Sequence, residues 1–194
     1  MGKGRLEAFS DGVLAIIITI MVLELKVPHA AELGALKPVL PVLLSYVLSF
    51  IYVGIYWNNH HHLFQATEQV SAGILWANLH LLFWLSLFPF TTAWIGENHL
   101  AAIPTAIYGF VLLMAAFAFI ILERSIVAKE GRDSVVASAI SGDWKRKLSP
   151  GLYLLAIPLA FVNPWVASAI YVFVALFWLI PDPRIEKALK QREH

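Results

Sequence analysis

The residues able to do chemistry in this chain are few, and they sit in apolar surroundings. Asp11 follows Ser10 inside a run that otherwise reads as hydrocarbon. His60, His61 and His62 are consecutive, and His80 lies beside Trp76, Asn78 and Trp84. A carboxylate in such surroundings needs donors or a cation, because protonation otherwise removes its charge. The simplest arrangement is an interhelical polar lock joining Ser10 and Asp11 to Ser45, Ser49, Trp57, His61 and His80. A second use is proton transfer, with Asp11 and His80 (or His61) as the titratable pair of a proton-coupled carrier or proton channel. A metal site is a third reading. Neighbouring helical residues point about 100° apart, so three consecutive histidines cannot face one ion. No carboxylate pair lies at helical spacing nearby, and the absence of cysteine removes thiolate ligands and nucleophiles. With no Ser–His–acid set and no glycine-rich phosphate loop, neither enzymatic chemistry nor a bound metal or cofactor is expected.

The elements that must position these groups follow from composition. The chain has 194 residues, 59% of them apolar and only 14% charged, with a mean hydropathy of +0.72. Soluble domains carry roughly 25% charge, so a polytopic membrane protein is the reading and a disordered chain is excluded. A net charge of +1 provides no field for nucleic acid. About 20 apolar residues cross a bilayer as a helix, and the runs 6–25, 38–58, 72–95, 101–122, 148–162 and 165–180 are predicted to do so. Asn163-Pro164 makes the last two a tight hairpin. The first run lacks the basic start and small-residue exit of a signal peptide and reads as a mature helix. Placing both termini on one side puts 12 of the 14 basic residues there, leaving Lys26 and Lys37 opposite. This bias predicts six spans with both ends cytoplasmic. The stretch 123–147 is then the main cytoplasmic loop, with 135–140 lying against the membrane or a neighbouring subunit. Trp57, Trp94, Trp165 and Trp178, near span ends, read as interfacial anchors.

On a wheel of about 100° per residue, the first span has two faces. Gly12, Ile16, Thr19, Ile20, Leu23 and Val27 form one stripe, with Ser10 and Asp11 on the back. Such a stripe ordinarily means packing against a neighbour. If four copies converged on it, they would form an apolar ring that cations cross partly dehydrated or after wetting.

The run Arg5-Leu6-Glu7-Ala8-Phe9-Ser10-Asp11-Gly12, continuing Ile18-Thr19-Ile20-Met21-Val22-Leu23-Glu24-Leu25, resembles the first-helix signature of the prokaryotic transmembrane-protein-175 family, potassium channels related to the lysosomal potassium channel. Ser49-Phe50, Tyr56-Trp57-x-x-His60-His61-x-Leu63-Phe64, and Asn78 with Pro89-Phe90-Thr91 resemble the same family. The likeness is motif-rich over 5–95 and hydropathic beyond. It implies an all-α membrane protein with six helices per subunit. It also implies a homotetramer in the prokaryotic plasma membrane whose first helices line a central pore for potassium. Beyond itself, membrane lipid and potassium ions, no partner is implied. By position, Ile16 is the constriction, Ile20 and Leu23 are further layers, and Thr19 contributes to selectivity. The resemblance places Arg5, Phe9, Ser10 and Asp11 in packing between helices and away from the pore.

Overall fold

Each predicted run forms helix, because no apolar backbone can leave its N–H and C=O groups unpaired at membrane depth. The structure is a computed structural model and describes residues 2–131, 134, 136–137 and 144–179. Its helices are α1 (Lys3–Leu23), α2 (Leu40–Gln65), α3 (Ala72–Ser86), α4 (Phe88–Glu97), α5 (Ala102–Glu130), α6 (Lys145–Val162) and α7 (Pro164–Leu179). A short 3-10 turn, Leu33–Leu36, precedes α2. Among the described residues, four stretches are long and apolar enough to cross a membrane: Lys3–Leu23, Leu40–Gln65, Ala72–Glu97 and Ala102–Glu130. Pro164–Leu179 is a shorter apolar helix, and α6 carries Lys145, Arg146 and Lys147 in its first turn.

The boundaries depart from hydropathy in three places. The run 72–95 is two helices meeting at Leu87, because Pro89 cannot donate to the carbonyl four residues back and opens the ladder there. α2 continues to Gln65, so the three histidines are helical. α5 continues to Glu130, converting the first third of the expected loop into helix, since charged side chains end an apolar run without ending a helix. Of the stretch 135–140, only Val136 and Ala137 are described, and Val136 is buried.

α5 is the centre of the subunit, with Leu112, Ala115, Ala118, Leu122 and Ile126 buried. α3, α4, α6 and α7 all pack against it. Small residues set the distances. Ala156 and Ala160 of α6 and Ala167 and Ala175 of α7 are buried, allowing close backbone approach where no hydrophobic drive operates between helices. Gly109 of α5 has no room for a Cβ, which would collide with the Tyr171 hydroxyl of α7. Gly96 likewise lets α4 close on α2, where a Cβ would stand 2.7 Å from Val42 Cα. Asn163 breaks the α6–α7 run and caps α7, its Oδ1 accepting from the Trp165 backbone N–H at 3.0 Å.

α1 lies at the edge of this bundle, against α2, α3 and α4. It buries one row, Leu6, Ser10, Leu14, Ile17 and Met21. Its ends are tied to the subunit by charge. Lys3 Nζ donates to the carbonyls of Gln65 and Thr67 at 3.3 and 2.9 Å. The same α2–α3 loop is held from its other side by Glu130, whose carboxylate accepts the Glu68 and Gln69 N–H groups. Beyond the far end, Lys26 pairs with Glu97 at 2.7 Å on the surface. The hydrogen bond and then the charge of Glu97 raise the Lys26 ammonium above its usual pKa.

Candidate functional site: the first helix and its anchors

The buried row of α1 holds one polar side chain, Ser10, and its partners lie on two other helices. Ser10 Oγ donates to Leu6 O one turn back at 2.9 Å and accepts from Asn78 Nδ2 of α3 at 2.9 Å. Asn78 Oδ1 accepts from His60 Nε2 of α2 at 2.8 Å, and the His60 ring lies against Phe64 at 4.5 Å between centroids. All three side chains are buried. Three helices are thus pinned through one amide whose donor and acceptor are both in use, as buried polar groups require.

Asp11, about 100° further round, is on the flank of that row and exposed on the protomer. Trp57 Nε1 reaches it with a hydrogen bond of 3.0 Å, and the half-exposed Trp57 ring stacks on His61 at 6.3 Å. The expected lock therefore divides. His60, not His61, takes the buried position. Ser49 to Trp57 is eight residues, which carries the helix face round by about 80°. Trp57 and His61 consequently share the outer flank, while Ser49, Val53, His60 and Phe64 are buried.

Other expected members go elsewhere. Ser49 belongs to a second buried cluster, accepting from Thr92 Oγ1 at 2.6 Å and meeting the Tyr108 hydroxyl at 2.9 Å. Ser45 satisfies itself on Pro41 O, because a serine hydroxyl reaches the carbonyl one turn back. His80 accepts from Trp84 Nε1 on its own helix at 2.9 Å. No hydrogen bond joins His80 to Asp11 among the described residues, so the proton-transfer pair is not assembled. Arg5 is exposed, and its side chain makes no hydrogen bond or ion pair among the described residues. Phe9 is exposed as well. Both stand seven or more residues before Ile16 on the side of α1 away from Ser10. Two of the expected interfacial tryptophans have specific acceptors: Trp57 on Asp11, and Trp178 on Ser149 Oγ at 2.8 Å.

Several polar contacts had no counterpart in the sequence reading. Tyr52 donates to Tyr171 O at 2.6 Å and accepts from the Tyr153 hydroxyl. Glu123 and Arg146 form a buried ion pair joining α5 to α6. They line a cavity of about 50 Å³ together with Tyr52, Tyr56, Phe119, Tyr153 and Trp178. A lone carboxylate ending an apolar run and a basic triplet opening the next were the available signals.

The opposite face of α1 is bare. Ile16 is 60% exposed, Ile20 42% and Leu23 75%; Gly12 and Thr19 are exposed with them. Thr19 Oγ1 donates back to Ala15 O at 2.9 Å, which leaves its oxygen free to accept.

Comparison with known proteins covers this helix and most of the chain. The family model described as endosomal/lysosomal potassium channel TMEM175 matches residues 5–89. A protein of Chryseobacterium sp. (strain P1-3) named as a potassium channel is 59% identical over 191 residues, covering 98% of this chain and all of that one. The chain belongs to the TMEM175 family. A Streptomyces collinus relative, also named a potassium channel, is 33% identical over 96% of this chain and 97% of its own. Among solved structures, the crystal structure of a lysosomal potassium-selective channel TMEM175 homolog from Chamaesiphon minutus aligns with a TM-score of 0.75 and 29% identity. It covers 92% of this chain and 96% of that one. The TMEM175 match and the apolar helices make this a multi-pass membrane protein, all-helical in its described part.

Proposed function

We propose that four copies of this chain form a potassium-selective leak channel in a prokaryotic plasma membrane, with α1 of each subunit lining a central pore. Each subunit spans the membrane six times (α1, α2, the bent pair α3–α4, α5, α6 and α7), with both termini on the cytoplasmic side that the basic residues mark. Ile16 is the constriction, Ile20 and Leu23 are further layers, and Thr19 refines ion choice. One observation carries the reading: α1 anchors its Ser10 row within the subunit and leaves Gly12, Ile16, Thr19, Ile20 and Leu23 uncovered in a line. The names of the relatives supply the ion.

Four isoleucines on an axis offer no oxygen to replace hydration water, so an ion crosses the ring partly dehydrated or the ring wets. Water holds potassium less tightly than sodium, so the barrier is lower for potassium. The ring needs no resident cofactor; potassium is the cargo.

The test is potassium and sodium flux with reversal potentials in reconstituted protein. Ile16→Ala removes four side chains from one cross-section and is expected to raise conductance and bring potassium and sodium permeabilities together. Ile16→Asn places amide oxygens there and is expected to wet the ring. Ile17→Ala is the control: Ile17 is buried in the subunit, so it loses stability, by about 2–5 kcal/mol, and keeps ion preference. Altered permeation in Ile17→Ala with Ile16→Ala unchanged overturns the assignment.

A further inference from the structure

Three helices contribute matching stretches to the cavity beside the Glu123–Arg146 pair: Tyr52 to Asn59 of α2, Ala116 to Glu123 of α5, and Arg146 to Tyr153 of α6. At 1.5 Å per residue each stretch covers roughly 10 Å. Contacts fix the two ends. Arg146 meets Glu123 at one, and the Tyr153 hydroxyl donates to that of Tyr52 at 3.2 Å at the other. Between them the Tyr56 and Phe119 rings meet edge to face, 6.0 Å apart. The cavity therefore has aromatic walls and grades from hydrocarbon to polar along its length.

Most of its polar groups are already committed. Tyr52 donates to Tyr171 O, and Ser149 Oγ donates to Lys145 O while accepting from Trp178 Nε1. Two are not. The Tyr56 hydroxyl makes no hydrogen bond among the described residues. Asn59 donates through Nδ2 to Ile55 O at 2.8 Å, which leaves Oδ1 without a donor. These side chains stand three residues apart on one face of α2. A spare donor and a spare acceptor thus lie one turn apart, in a place where unmatched polar groups are costly.

We propose that this cavity is a binding site for a small neutral alkanol of three or four carbons. A water molecule occupies about 10–15 Å³ of such space, so about 50 Å³ admits roughly three to five non-hydrogen atoms. The alkanol hydroxyl accepts from Tyr56 and donates to Asn59 Oδ1, and its alkyl arm lies against Phe119 and Tyr153. The ion pair carries no net charge, so the site attracts no ion. Water filling the same volume needs two to four polar partners per molecule, more than these aromatic walls supply; a lipid acyl chain has too many atoms. None of the lining residues belongs to α1, so the site stands apart from the pore assignment.

The probe is 1-propanol, its saturable binding to full-length protein in micelles followed by saturation-transfer NMR, with xenon as an apolar companion. Affinity is expected to rise from methanol to 1-propanol or 1-butanol and to fall by 1-hexanol. Tyr56→Phe, which keeps the ring, is expected to weaken 1-propanol binding roughly two- to tenfold and to leave xenon binding unchanged. Ala116→Leu, which fills the cavity, is expected to abolish both; Ala116→Val serves if that variant does not fold. Bound 1-propanol should also raise the unfolding midpoint of the parent but not of the filled variant, without altering potassium-to-sodium preference. Affinity that climbs steadily through 1-octanol makes a lipid tail the occupant and overturns the proposal. Absence of saturable binding, or equal 1-propanol binding in the parent and the Ala116 variants, overturns it too.

Discussion

Asn78→Leu is the most informative single change to the scaffold behind α1. Leucine keeps the branched shape of asparagine but can neither donate to Ser10 Oγ nor accept from His60 Nε2, contacts of 2.9 and 2.8 Å between fully buried groups. Losing a partner costs a buried polar group about 1–3 kcal/mol. His60 bears that in full. Ser10 suffers less, because its hydroxyl still donates to Leu6 O. The expected loss is therefore about 2–4 kcal/mol per subunit. Ser10→Ala orphans only the Asn78 amide and is expected to cost about 1–3 kcal/mol. The two changes share one contact, so the double variant should lose less than their sum. Adding His60→Phe to that pair replaces every member of the chain by an apolar group. It should recover much of the loss, since removing all partners is far cheaper than removing one. The assay is the unfolding midpoint of solubilised protein in increasing denaturant, with potassium flux measured per folded channel. An unchanged midpoint in Asn78→Leu, or a triple variant less stable than Asn78→Leu alone, refutes the reasoning. So does a normal midpoint with altered ion preference, which would place Asn78 in the permeation path.

The same assay reaches three other contacts. Gly109→Ala drives a methyl group into the Tyr171 hydroxyl and should cost about 1–3 kcal/mol; Tyr171→Phe in the same chain should restore part of it, and no restoration would mean the collision is not the cause. Glu123→Ala leaves Arg146 without its buried counter-charge and should destabilise by about 3–5 kcal/mol. A Glu123→Leu/Arg146→Met double variant should be closer to the parent than either single change, as read from the four midpoints of the cycle. Trp57→Phe keeps a ring for His61 but deletes the bond to Asp11. On a half-exposed flank that is worth about 0.5–1.5 kcal/mol, so a loss above 3 kcal/mol would show that Asp11 carries more than this contact.

Length and charge made the helices legible, and composition hid their faces. Apolar runs of about 20 residues mark where helix must form, but in a chain that is 59% apolar hydropathy hardly varies around each helix. Lipid, a neighbouring helix and a pore all accept leucine. Only polar side chains carry angular information, which is why Ser10 could be read as facing inward. His61 was read in place of His60 because eight residues of drift between Ser49 and Trp57 change which flank the next histidine occupies. The Tyr52–Tyr171–Tyr153 contacts join residues more than 100 apart in sequence, including a backbone carbonyl, and no local pattern announces them. Glu123 and Arg146 were legible as the end of one span and the start of another. Their pairing required α5 to run on to Glu130, which apolar run length does not report.

The division of labour on α1 follows from these contacts. A helix lining a pore must be fixed without giving its pore face to its own subunit, and α1 meets that condition by anchoring at its ends and along one row. Lys3 grips the α2–α3 loop, Ser10 grips Asn78, and Thr92 reaches Met21 Sδ at 3.9 Å near the other end. α5 could not serve, because its own subunit covers it on most sides. Exposure alone does not separate a pore face from a lipid face, since both are apolar. What favours the pore for the Ile16 row is its uneven relief: a vacancy at Gly12 and a hydroxyl at Thr19 between large side chains. Against fluid lipid tails such relief does nothing, whereas around a four-fold axis each departure is repeated at one level and sets the bore there. Thr19 illustrates the point. Its proton is committed to Ala15 O, so in the proposed pore its oxygen would be free to accept, as a cation dehydrating at the proposed isoleucine ring would require.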